Sequence, residues 1–274
     1  MCDHAREPFV TRIAPQEFML RSRDGTPRII SMNLWQDFKT NEGKVIHKWM
    51  HYFPIYERHL SQWRNKTLTF IEIGVFKGGS LQMWHRFLGP LATIVGIDVN
   101  PACAKHEEPG IHIRIGDQSD ASFLESIIAE FGQPDIVLDD GSHMMNHVTK
   151  SFEFLYPRLS KNGLYIIEDL HTAYWEEFGG GSFNEDSFVN ISKGFIDQLN
   201  ADHSRGVIEP DFMTQHTFGI SFYDSVIVFE RGSIPAKIAP QTGKPDLDLR
   251  IRRLARPIVK PLRSVARKIR RIVE

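Results

Sequence analysis

The stretch TLTFIEIGVFKGGS, residues 67–80, decides the fold. Its first part is rich in β-branched and aromatic residues and stops at Gly74; four residues later Gly78-Gly79 opens into the helix-prone run SLQMWHRFL. A strand that ends on glycine and turns straight into a helix is the first half of a βαβ unit. The same text recurs downstream as ATIVGID (92–98), IHIRIGD (111–117), PDIVLDD (134–140) and GLYIIED (163–169). Amphipathic or helix-prone stretches lie between, at 80–88, 101–107, 120–131 and 144–159. Strands alternating with helices at this spacing predict right-handed crossovers and a parallel sheet covered on both faces. FGISFYDSVIVFERG (218–232) departs from the pattern: its two strand-like runs flank a short Asp/Ser turn with no room for a helix, so they pair antiparallel. The expected fold is α/β, a doubly wound, mostly parallel seven-stranded sheet with a terminal antiparallel hairpin.

Composition agrees with one large domain and an appendage. The chain has 274 residues, 41% hydrophobic and 24% charged, enough to build a core without staples. Two cysteines, Cys2 and Cys103, make neither a disulfide framework nor a cysteine zinc site, and suit a reducing compartment. No apolar run follows the N-terminal MCDHAREPFVTR, and none reaches the ~18 residues a membrane span needs. A cytoplasmic globular protein is expected. Net charge is −1, yet residues 247–274 hold ten Lys/Arg against Asp248 and Glu274, or +8, and residues 1–246 carry −9. An acidic body argues against nucleic acid as a partner. Past Pro257 and Pro261, residues 262–273 predict a basic amphipathic helix, suited to docking on the body or on a second copy, or to an anionic or lipid-linked contact. A homo-oligomer is the expected assembly. The divisions expected are 1–45 as a substrate or lid segment, 46–232 as the catalytic domain, and 233–274 as linker and basic tail.

In a doubly wound sheet, ligands gather at the carboxyl ends of the strands. The first strand end reads Glu72-x-Gly74-x-x-x-Gly78-Gly79-Ser80, which is not the GxGxxG of a dinucleotide fold. Asp98 ends the second strand, where an acid can accept two hydrogen bonds from a ribose diol. At the third end, Asp117 can face an adenine amino group, with Gln118 and Ser119 offering backbone donors; a helix cap at Asp117 or Ser119 is the plainer alternative. The fourth and fifth ends carry Asp139-Asp140-Gly141-Ser142-His143 and Glu168-Asp169. Adjacent strands lie ~4.8 Å apart, so Asp140, Glu168 and Asp169 can converge. Acids gathered so closely repel one another without a cation, and hard oxygen donors suit Mg2+. His143 is placed to act as a general base. His147, four residues on, makes a His-x-x-x-His pair, but Met144–Asn146 supply no third zinc ligand.

Taken together these residues resemble the class I S-adenosylmethionine-dependent methyltransferases, and more narrowly the metal-dependent sugar O-methyltransferases of macrolide biosynthesis. The resemblance rests on HKWMHYFPIY (47–56), EIGVFKGGSL (72–81), GIDVNP (96–101), IGDQSD (115–120), DDGSH (139–143), SFEFLYP (151–157) and GLYIIEDLHTAYW (163–175). It covers residues 45–232. Shorter relatives of this type methylate mannosides of actinobacterial polysaccharides, and the length here suits them. The resemblance implies that Asp140, Glu168 and Asp169 bind Mg2+, with His143 as base and Asp140 beside it. It also implies a cofactor site built on Glu72, Gly74, Gly78, Ser80, Asp98, Asp117, Gln118 and Asp139, and a sugar or glycoside as acceptor. A metal-dependent hydroxylase or oxidase is the alternative, since acids with His143 also evoke an iron triad.

Overall fold

A computed structural model describes residues 33–243. The tail helix expected at 262–273 and most of the N-terminal segment lie outside the described residues. Packing divides the chain between Ile234 and Pro235.

The seven strands are β1 (Leu68–Ile73), β2 (Ala92–Asp98), β3 (Ile111–Ile115), β4 (Ile136–Asp139), β5 (Leu164–Ile167), β6 (Thr217–Tyr223) and β7 (Val226–Arg231), in the spatial order β3-β2-β1-β4-β5-β7-β6. The first five pair in parallel; β7 runs antiparallel to both β5 and β6. The helices are α1 (Leu34–Lys39), α2 (Phe53–Leu60), α3 (Gly79–Leu88), α4 (Ala121–Phe131), α5 (Met145–Leu155), α6 (Phe188–Leu199) and α7 (Phe212–His216). Residues 101–106 form a 3₁₀ segment where the sequence suggested a helix-prone stretch; Pro101 fixes its start and Asn100 caps it. Short strands with little alternation are what two-sided burial requires.

The pleat divides the core into two layers. Phe70, Ile94, Leu138 and Ile166 face one way, onto α1, α2 and α3. Ile71, Ile73, Val137 and Ile167 face the other, onto α4, α5 and α6. Register then aligns the strand ends. Ile73 pairs with Ile97 and with Asp139, and Asp139 with Ile167, so Gly74, Asp98, Asp140 and Glu168 all fall one step past the same row. The order reverses between β1 and β4, where a crevice must open at that edge.

Candidate active site

Strand parity sorts the acids. Glu72, Asp140 and Glu168 share the α2–α3 face, whereas Asp139 points to the α5 side. On the first face they meet residues from the segment before α2 and from α2 itself. The Lys48 ammonium lies 2.6 Å from Asp140 Oδ2, 2.9 Å from Glu168 Oε2 and 3.4 Å from Glu72 Oε1. Tyr56 donates to Glu168 Oε1, and Tyr52 donates to Asp169 Oδ1 at 2.7 Å. Burial by itself would discharge Lys48, but Asp140, Glu168 and Glu72 together hold its pKa well above the usual value. Burial pushes the Glu168 carboxyl up to about 8 although Lys48 pulls it down. Burial raises Glu72 as well. One ammonium cannot neutralise this many carboxylates, so the edge relieves its charge by holding protons, as the raised Glu168 and Glu72 carboxyls do, or by taking up a further cation.

Asp140, His143 and Asp169 surround the open part of the site, each offering one ligand atom within 4.8 Å of the others. His143 Nε2 stands 3.7 Å from Asp169 Oδ2 and 4.0 Å from Asp140 Oδ1. Both His143 (φ 57°) and Asp169 (φ 54°) adopt the left-handed conformation, an expense that folds retain mainly at functional positions. Glu168 belongs to the same edge, but its side chain is turned inward and 1% exposed, with both oxygens engaged. The donor set is oxygen-rich with one imidazole. It fits a hard divalent cation, and it lacks the two histidines of an iron facial triad.

Beside these groups runs a cleft of about 490 Å3, walled by Lys48, Gly74, Ser80, Asp98, Asp140 and His143 among others. A second cavity of about 310 Å3 continues from it past Gly74, Asp98 and Gly141 to Asp117, Gln118 and His147. Gly74 sits at φ +96°, and a Cβ there would come 2.1 Å from the Asp140 carbonyl oxygen, so the β1 turn and the β4 turn touch through this glycine. Gly78 caps α3 in the left-handed conformation. At Gly79 a Cβ would meet the Val45 carbonyl oxygen at 2.3 Å; the strap that carries Lys48 passes directly over it. Asp98 Oδ2 accepts from the Val75 and Phe76 N–H groups (3.0 and 3.2 Å), and Oδ1 from Asn100 N–H at 2.8 Å. Burial would raise its pKa, but these three donors outweigh burial and hold it below the usual carboxylate range.

Two of the residues expected against the cofactor lie behind the walls. Glu72, fully buried, accepts from Ser80 Oγ (2.7 Å) and Trp84 Nε1 (3.1 Å), its parity having aimed it at α3. Asp139, also buried, accepts from Ser151 Oγ at 2.6 Å and from Gln118 Nε2 at 3.1 Å. Gln118 therefore acts through its side chain as well, its Oε1 accepting from Ser142 N–H at 2.8 Å. Asp117 accepts from Ser119 N–H at 2.7 Å, and the cap of α4 is Asp120. His147 faces the second cavity, bound to Ser142 Oγ at 3.0 Å, so it does not join His143. Sequence reasoning missed Lys48, Tyr52 and Tyr56 as site residues. Their every-fourth spacing was the available signal.

No family model matches the chain. Among curated proteins it is 37% identical over 199 residues to mycinamicin VI 2''-O-methyltransferase of Micromonospora griseorubida, covering 67% of this chain and 49% of that protein. It is 36% identical over 203 residues to demethylmacrocin O-methyltransferase of Streptomyces fradiae, covering 68% and 50%. Among solved structures, MycE methyltransferase of the mycinamycin pathway, in complex with Mg, SAH and mycinamycin VI, superposes with a TM-score of 0.65 at 32% identity, covering 82% of this chain and 59% of that one. The chain spans about half the length of the curated relatives it matches. Over that shared stretch it is a homologue of the sugar O-methyltransferases of natural-product pathways, built on the class I methyltransferase fold.

Proposed function

We propose that this protein is a Mg2+-dependent O-methyltransferase that moves a methyl group from S-adenosylmethionine to a sugar hydroxyl. The observation that carries the reading is the junction of Asp140, His143 and Asp169 with the cleft that starts at Gly74. The cleft and the cavity continuous with it match the two halves of the cofactor: Asp98 at their border for the ribose, Asp117 and Gln118 beyond it for the adenine. The named relatives methylate glycosylated natural products, and MycE binds Mg and SAH. A mannoside of a polysaccharide and a deoxysugar of a natural product are both acceptors of the required chemistry.

Asp140, Glu168 and Asp169 would hold the metal, Glu168 by exchanging its Lys48 contact. When bound, the ion supplies positive charge that lowers the cost of ionising the acceptor hydroxyl. His143 takes the acceptor proton at Nε2, with Asp140 and Asp169 stabilising the imidazolium. The acceptor oxygen forms its bond to the methyl carbon as the sulfonium S–C bond breaks, so the products are methyl ether, S-adenosylhomocysteine and a proton on His143. Residues 46–232 carry this chemistry, residues 1–45 contribute to acceptor choice, and the basic residues of 250–271 meet an anionic or lipid-linked surface or a second copy of a cytoplasmic homo-oligomer.

The test is methyl-labelled S-adenosylmethionine with a panel of mannosides and deoxysugar glycosides, with Mg2+ and with chelator. Label in a sugar ether that disappears on chelation is expected. Transfer indifferent to chelation, or no transfer to any glycoside by protein that binds the cofactor, overturns the reading.

A further inference from the structure

A third cavity, of about 290 Å3, opens on the same sheet edge. Its wall begins where the catalytic residues end: Leu170 and His171 follow Asp169 directly, and His171 Nδ1 lies 3.9 Å from Asp169 Oδ1. The opposite wall is the β6–β7 turn, Phe222 to Val226, tied down by the hydrogen bond from Leu170 N–H to the Ser225 carbonyl at 3.0 Å.

The order of the three spaces follows the strand order. The Asp117 cavity lies at the ends of β2 and β3, the Gly74 cleft at β1, β2 and β4, and this cavity at β5, β7 and β6. If the first two hold the cofactor, a methyl group leaving in line travels away from the adenosyl group, toward β5. The acceptor oxygen belongs at Asp140, His143 and Asp169. Whatever is bonded to the acceptor sugar on its far side then enters the third space.

We propose that this cavity is a subsite for a second pyranose ring, glycosidically linked to the one that is methylated; this rests on the sugar methyltransferase reading above. Its lining has the two features by which proteins hold sugars. Tyr174 and Phe222 are 55% and 45% exposed, giving apolar faces for ring C–H groups. Asp224 presents an exposed carboxylate at the turn, with the Ser225 hydroxyl 3.2 Å from its Oδ1, and can accept from vicinal hydroxyls. The floor of Leu170, Val226 and Ile227 is buried and apolar. At about 290 Å3 the cavity lies at the lower edge of the ~300–1,000 Å3 range of small-molecule sites, a size for a single ring and not for a macrocyclic aglycone. The turn is anchored to α2, with Tyr223 Oη 2.8 Å from His59 Nε2.

The experiment uses the full chain and calorimetry, with S-adenosylhomocysteine and Mg2+ present, titrating methyl α-mannobioside and methyl α-rhamnobioside against the corresponding methyl monosaccharides. At least one disaccharide is expected to bind ten-fold or more tighter than its monosaccharide. Asp224→Ala and Phe222→Ala should remove that difference and leave monosaccharide affinity within two-fold. Thermal melts check that both variants fold, and Asp224→Asn, a milder change, should lose part of the preference. Equal affinity for mono- and disaccharides in the wild type, no disaccharide binding, or variants that weaken both sugars alike each overturn the subsite. Labelled methyl transfer measured beside the binding keeps the two readings apart: disaccharide binding without transfer sinks the methyltransferase, and transfer without the disaccharide preference sinks the subsite.

Discussion

The two halves of the sheet edge are built differently. On the β1–β3 side the site is made by turns: Gly74 touching the β4 turn, Asp98 gathering three N–H groups, Gly79 yielding space to the strap. Its contacts are mostly backbone, and most span few residues or adjacent strands. On the β4–β5 side the site is made by side chains brought from far away in sequence. Lys48 reaches Asp140 and Glu168 across 92 and 120 residues, and Tyr52 and Tyr56 reach Asp169 and Glu168 across 117 and 112. A backbone cradle tolerates ligand exchange without rearrangement, whereas a charged cluster with too few cations invites a further ion. On the function proposed above, that is a reason for cofactor and metal to take opposite sides of one crevice.

The largest effect expected is at the reacting group. His143→Ala should lower kcat by ~10²–10⁴-fold, the usual worth of a general base, while calorimetric affinity for S-adenosylhomocysteine stays unchanged. A fall of less than about three-fold, set against that range, moves the proton to another acceptor. A parallel loss of cofactor affinity would erase the division between the two halves.

Lys48→Met comes next. It leaves Glu72, Asp140 and Glu168 facing one another in the interior with no ammonium. Breaking a buried pair by removing one partner costs about 3–5 kcal/mol, so the melting temperature without divalent cations should fall sharply. Added Mg2+ should recover more stability in this variant than in the wild type. If Mg2+ stabilises both equally, Lys48 and the ion do not answer the same charge deficit.

These two residues also show how far the sequence could be read. The β-rich runs, the hairpin at 218–232 and the acids at each strand end were legible because strands and turns are local patterns. Lys48 was legible only in part: its every-fourth spacing with Tyr52 and Tyr56 is a local mark, but its burial depends on how α2 packs against the sheet. The fate of Asp139 and Glu72 lay within reach, however. Alternation along β4 puts Asp139 and Asp140 on opposite faces, and only one of them can look toward α2. Sequence reasoning separates Asp139, placed with the cofactor, from Asp140, placed with the metal, without using the alternation that buries Asp139 against Ser151 and Gln118. In sequence His147 partners His143 but lacks the third ligand that zinc needs; α5 begins at Met145, after His143, so the two histidines share no helix face.

Asp98→Ala tests the other half. It deletes a charged acceptor from the ribose end of the cleft and frees three backbone donors, and hydrogen bonds to charged groups are worth about 1.5–3 kcal/mol. S-adenosylhomocysteine should bind roughly 10–100-fold more weakly, since 1.4 kcal/mol is tenfold, and the stabilisation by Mg2+ should persist. Because the carboxyl is held below its ordinary range, this part of the cradle stays ionised down through mildly acidic pH. Its stabilising share is present above the unfolded value and is lost only as pH falls through the depressed folded one. Unchanged cofactor affinity would remove Asp98 from the site.

The smallest effect concerns the link between α2 and the β6–β7 hairpin. His59 on α2 is buried, with Nε2 2.8 Å from Tyr223 Oη and Nδ1 3.2 Å from Glu230 Oε1. Burial lowers its pKa and Arg58 lowers it further, while Glu230 acts in the opposite direction without prevailing. The neutral ring is therefore the native form, and in mildly acidic solution the folded chain binds fewer protons at this site than the unfolded chain. By linkage the contribution of His59 is complete above the unfolded value of ~6.5 and declines as pH falls from there through the lower folded value. Melting temperatures of the wild type measured from pH 7.5 down to pH 5 should fall more steeply than those of His59→Gln, by a few degrees at most over that range. A shallower fall in the wild type than in His59→Gln would mean that His59 is charged in the fold and that an ion pair with Glu230 fastens α2 to the hairpin. The hairpin beside the third cavity would then be fastened by a charge balance, as the acid cluster is, under a floor that stays apolar.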